Sequence, residues 1–106
     1  MRIERCHPER PAKGWYGTLA GQDLPFIGYA NQGISEPHRH ARSHEVYLVA
    51  QGSSTVLVAG ERITLSAGDV SVVGPGEVRT FLDRTRDYFH FVLQSPAVGN
   101  DKVPVA

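Results

Sequence analysis

The chain has a single cysteine, Cys6, in 106 residues. It has no partner for an intramolecular disulfide, and a cysteine-rich zinc site is excluded. Net charge is equally scarce. Eleven Lys and Arg balance eleven Asp and Glu, so there is no bulk electrostatic case for nucleic acid or an anionic membrane as a partner. No run approaches the roughly 20 apolar residues of a membrane span. The segment from Met1 to Arg10 holds charges and a proline where a secretory leader needs an apolar stretch. A soluble protein of a reducing, cytoplasmic compartment is the expectation. Amphipathic helical periodicity is missing, and so is any repeat of fixed period, which argues against bundles, propellers and solenoids.

What is present is the composition of a folded domain, 41% hydrophobic and 21% charged. The length suits one domain over 1–106, with arms at 1–14 and 95–106. Eleven glycines and seven prolines punctuate short apolar runs, a pattern of strands and tight turns. Strands are predicted at Trp15 to Leu19, Pro25 to Ala30, Glu45 to Val49, Thr55 to Val58, Arg62 to Leu65, Val70 to Val73, Val78 to Leu82 and Tyr88 to Gln94. Ala59-Gly60-Glu61-Arg62 reads as a type II′ hairpin turn, with glycine at the first central position. Ser66-Ala67-Gly68-Asp69 and Gly74-Pro75-Gly76-Glu77 read as type II turns. Val103-Pro104-Val105 reads as an edge strand or as unstructured tail. The fold class is all-β, of sandwich or barrel type.

Three of the five histidines fall in the run His38-Arg39-His40-Ala41-Arg42-Ser43-His44-Glu45. In a strand, His38 and His40 point to one face. Two neutral imidazoles and a carboxylate form a common donor set for a divalent transition metal. A short turn brings the following strand alongside, so that Glu45 meets the pair. His44 has the opposite parity and competes with Glu45 for the third position. His90 lies in Tyr88-Phe89-His90-Phe91-Val92-Leu93. It faces out if Phe89, Phe91 and Leu93 fill the core, and joins the site if the faces are reversed. Tyr47 shares the parity of Glu45 and lines the same space.

The residues Gly33 to Gly52 resemble the first conserved motif of the cupin superfamily, with His38-x-His40, then Glu45 and Gly52 in register and the first spacing one residue short. Gly68 to Arg79 is similar to the second motif. Gly76 stands at its glycine, Gly74 where a proline is usual, and Arg79 where the family has a fourth, histidine ligand. The resemblance covers positions 25–93. It implies a cupin-type antiparallel jelly-roll β-barrel that binds iron, manganese, nickel or zinc through His38, His40 and Glu45. It also implies a small-molecule ligand and reactions of the oxygenase or isomerase kind, with non-catalytic binding or sensing as the alternative. Arginine stays protonated and cannot ligate a metal. Three outcomes follow: a three-ligand site, a replacement ligand in His44 or His90, or a metal-free site where Arg79 holds an anion. The expectation is a three-ligand site with Arg79 gripping an anionic substrate group, against a plain salt bridge to Glu77 or Asp83. A homodimer is expected, the second copy covering exposed strand faces.

Overall fold

The alternation of apolar and polar residues, cut by turn glycines, produces ten strands among the described residues. The computed structural model describes residues 1–5, 11–32, 35 and 37–105. Cys6, His7, Gly33 and Ile34 lie outside the described residues. The strands are β1 (Lys13–Trp15), β2 (Phe26–Ala30), β3 (His38–His40), β4 (His44–Gln51), β5 (Ser53–Val58), β6 (Glu61–Ser66), β7 (Val70–Val73), β8 (Arg79–Arg84), β9 (Phe89–Ser95) and β10 (Lys102–Pro104). Among the described residues the one helical element is a 3₁₀ turn at Gly17–Leu19. No helix is long and apolar enough to cross a membrane.

The strands form two five-stranded antiparallel sheets, ordered β1-β2-β9-β4-β7 and β10-β3-β8-β5-β6. From β2 onward the chain changes sheet at every connection except the β5–β6 hairpin. That alternation is the jelly roll. The inward faces meet in a core of Tyr47, Val49, Val56, Leu65, Val73, Phe81, Tyr88 and Val92. Burying each large apolar side chain contributes about 1.5–3 kcal/mol.

Three local expectations change. The hairpin loop is the pair Ala59-Gly60, both at positive φ (50° and 81°), with Val58 paired to Glu61. That is a type I′ loop shifted one residue from the expected turn, and the twist of the strands favours it. Gly17 to Leu19 leaves the strand that begins at Lys13, so the predicted strand Trp15 to Leu19 survives only at Trp15. The tail contributes β10, an edge strand against β3, with Pro104 opposite His38. Its missing N–H is tolerated at an edge. The expected type II turns hold, with Gly68 and Gly76 both at positive φ.

Candidate metal centre

His38 and His40 project from β3 in the second sheet, and Glu45 projects from β4 in the first. The turn between them crosses from one sheet to the other. Glu45 does not arrive on a strand paired with β3, as the short turn suggests, because β3 pairs with β8 and β10 and not with β4. The carboxylate therefore meets the imidazoles across the sandwich. One donor atom from each of the three residues lies within 4.8 Å of the others, and all three residues are buried.

The corner is held by Asp101, just before β10. Its carboxylate accepts hydrogen bonds from the Ser43 amide and hydroxyl and from the Arg42 amide and side chain. Its carbonyl accepts the Ala41 amide at 3.0 Å. The Ser43 hydroxyl first, then the two amides, hold the Asp101 carboxyl below the ordinary carboxylate range, against the opposing effect of burial. The amide of Gly76 donates to the His40 carbonyl at 2.7 Å, which ties the second motif turn to the same corner.

Glu45 is the hub of the polar cluster. Its Oε1 accepts the Tyr47 hydroxyl at 2.8 Å and lies 3.0 Å from His40 Nε2. The same oxygen accepts a hydrogen bond from Nη2 of Arg79. On the other side of the His40 ring, Nδ1 stands 3.6 Å from Asp101 Oδ2, too long for a hydrogen bond, and has no hydrogen-bond partner. Burial pushes the His40 pKa below its usual 6.5, opposed by Glu45 and Asp101 and reinforced by Arg79 and Lys102. The ring is therefore neutral at pH 7, the form that ligates. Burial, and then the charge of Glu45, raise the Tyr47 phenol far above its ordinary value, so it stays a donor to that carboxylate.

Arg79 is fully buried, with 0% of its surface exposed. It stands directly across the strand pair from His38. It does not line the cavity in front of the centre. Its guanidinium is turned toward the protein's own groups: Nη2 is engaged with Glu45, Nη1 lies 3.4 Å from the Glu77 carbonyl, and Nε has no hydrogen-bond partner. The alternative salt bridges to Glu77 and Asp83 are not made; those carboxylates accept the Gly74 and Thr55 amides.

His44 is exposed, on the face of β4 opposite Glu45, and does not join the donor group. His90 resolves the other way. It is 4% exposed while Phe91 is 38% exposed, so the more apolar face of β9 is the outer one. His90 lines the cavity but is not one of the three clustered donors. Its ring packs edge-on against Tyr47 at 5.1 Å, and its Nδ1 is hydrogen-bonded to the Tyr88 hydroxyl. Burial lowers its pKa to about 4, partly opposed by Glu45. The unfolded chain takes up this proton near pH 6.5 and the folded one only near 4, so stability falls as pH drops through that window. The fall contributed by this residue is about 3 kcal/mol. Urea unfolding of wild type and His90→Phe between pH 7 and 4 checks it. The stability difference between the two proteins should change with pH below 6.5 and stay constant above it; parallel curves contradict the assignment.

A cavity of about 590 Å³ opens in front of the three donors. Tyr47, Phe81 and His90 form its inner wall, and Trp15 stands on its first-sheet side. Its size is that of a small-molecule site. Sequence reasoning missed Asp101, Lys13 and Lys102, the last two also lining this cavity. Asp101 lies 58 residues from Ser43, and no local pattern signals such a contact.

Residues 26–93 match the family model described as a cupin domain. Among solved structures, the chain is similar to KdgF from Halomonas sp., with 22% identity over 87% of each chain and a TM-score of 0.68. It is also similar to Streptomyces Pac13, described as a unique nucleoside dehydratase, with 16% identity, TM-score 0.74, and coverage of 88% of this chain and 76% of that one. A third neighbour is the DMSP lyase DddQ from Ruegeria pomeroyi, with 20% identity, TM-score 0.67, and coverage of 79% of this chain and 44% of the other. At these identities the likeness is one of fold. No curated protein matches the sequence.

Proposed function

The chain belongs to the cupin family, and from that premise we propose that it binds a divalent transition metal through His38, His40 and Glu45 and acts on a small anionic molecule as an oxygenase or isomerase. The observation that carries the reading is the convergence of these three buried donors at the inner end of a cavity of about 590 Å³. Two neutral imidazoles and one carboxylate suit iron, manganese, nickel or zinc, and leave coordination positions open. When bound, the ion supplies Lewis acidity toward a substrate oxygen.

The chain's own residues do the rest. Tyr47 and Arg79 hold Glu45 in one orientation from two directions. Asp101 stands behind His40, the place from which a carboxylate steadies a ligating imidazole. Phe81, Tyr47 and His90 wall the centre with rings packed against one another. A second copy of the chain would cover the outer face of the first sheet, where Val70, Val72 and Phe91 stand exposed in adjacent rows.

One observation favours a second reading, a non-catalytic ligand-binding or sensing protein. Arg79 occupies the place of the family's fourth ligand and is tied to Glu45. Turnover of a panel of small carboxylic acids, acidic sugars and phenols by protein loaded with each of the four metals separates the two. Turnover with one metal and none without it is the expected result. Saturable binding with no turnover under any metal selects the sensing protein, and full turnover after exhaustive chelation contradicts the metal reading.

A further inference from the structure

Across the first sheet, one inward row runs from Val49 to His90, then Ala30, then Lys13 on the edge strand β1. In the second sheet, Lys102 on the edge strand β10 is paired directly with His40. The two lysines thus come from the edges of opposite sheets, and both line the cavity in front of the donor cluster. Neither pairs with an acidic side chain among the described residues. Among the described residues, the only other charged side chain on the cavity wall is Glu45, and its charge is met from behind by Arg79.

Among the described residues of the wall, positive charge is in excess. Glu45 and Arg79 cancel at the inner end, and two unpaired ammonium groups stand further out. A concave site lined by charge of one sign concentrates ions of the other. The rest of the wall holds aromatic surface, Trp15, Tyr47 and Phe81, which suits a ring or carbon skeleton carrying the charge. We propose that Lys13 and Lys102 are the specificity-determining residues of the cavity, recognising the carboxylate groups of a small organic acid. This replaces Arg79 in that role. It rests on the reading that the cavity is where the small molecule binds.

Trp15 is the only tryptophan and lines the cavity, so its fluorescence reports occupancy directly. The probes are isophthalate, a planar dianion, and isophthalamide, its neutral counterpart of similar shape. Both are titrated into the chelator-dialysed full chain, and again with manganese present. Isophthalate should bind more tightly than isophthalamide in both conditions, with a preference that shrinks as salt rises. Lys13→Gln with Lys102→Gln should weaken isophthalate about tenfold, the effect of losing two exposed ion pairs, and leave isophthalamide unchanged. Lys102→Glu should cost more than Lys102→Gln. Manganese affinity of the double variant, read by calorimetry, should not fall.

Equal binding of the acid and the amide, or a double variant within twofold of wild type for isophthalate, overturns the lysine assignment while leaving the cavity as the binding site. No change in Trp15 with either probe overturns the cavity reading, and the lysine assignment with it. Failure of wild type to bind manganese, with acid selectivity intact, removes the metal and leaves the lysines standing.

Discussion

The chain with both His38→Ala and His40→Ala should bind no divalent metal at concentrations that saturate wild type. Two of three donors are lost, and a single carboxylate already engaged by Tyr47 and Arg79 remains. Removing one outer partner of a metal site costs about 10–100-fold in affinity, and removal of two donors should exceed that range. Stability of the metal-free protein should change little by comparison, because both truncations face the cavity, where water can enter. His44→Ala is the matched control, an exposed imidazole from the same segment pointing away from the cluster. Calorimetric titration with manganese and zinc measures all three proteins. Metal lost in His44→Ala and kept in the double variant would show that the donor set is misassigned.

Arg79→Ala should lower the stability of the metal-free protein by about 3–5 kcal/mol, the cost of leaving one charge of a buried pair uncompensated. Arg79 is wholly enclosed and Glu45 is 5% exposed, so the pair is a buried one. Arg79→His is the more informative variant. Position 79 is opposite His38 across the strand pair, so the new imidazole faces the same space as the donors, and the guanidinium that competes for Glu45 Oε1 is gone. Apparent stability should drop without metal and recover on its addition, since a ligand that binds only the folded state stabilises it. Manganese affinity should rise at least tenfold over wild type. Urea unfolding with and without metal reads both effects. A loss below about 1 kcal/mol in Arg79→Ala would mean that the pair is not a structural element, and unchanged metal affinity in Arg79→His would mean that position 79 does not face the ion.

Much of this architecture is legible in the residues. Period-two alternation in Arg62 to Leu65, and the glycines of the turns at Gly68 and Gly76, place strands and their ends, because face and turn conformation are local properties. The parity of His38 and His40 is local too. What lies opposite them is not. The sequence shows that Glu45 shares a face with Tyr47, but which sheet faces which depends on the whole winding, and the crossover between β3 and β4 has no local mark. β9 misleads by its hydrophobicity: Phe89, Phe91 and Leu93 are its apolar set, yet the inner face carries His90, Val92 and Gln94. Phe89 and Phe91 instead pack with Tyr29 and Tyr16 on the outer surface. Asp101 and Lys102 sit in a tail whose strand exists only because β3 offers it an edge, a condition no window of sequence contains.

One divalent ion should sit between two imidazoles from one sheet and a carboxylate from the other. Diffraction from manganese-loaded crystals, with an anomalous difference map collected at a wavelength where manganese scatters anomalously, tests it most directly. The expected map has one dominant peak in contact with His38, His40 and Glu45, at about 2.0–2.3 Å from their donor atoms as carboxylate and imidazole ligands require, with Arg79 still beside Glu45. A peak at His44 or elsewhere on the surface, with none among these three residues, would contradict it.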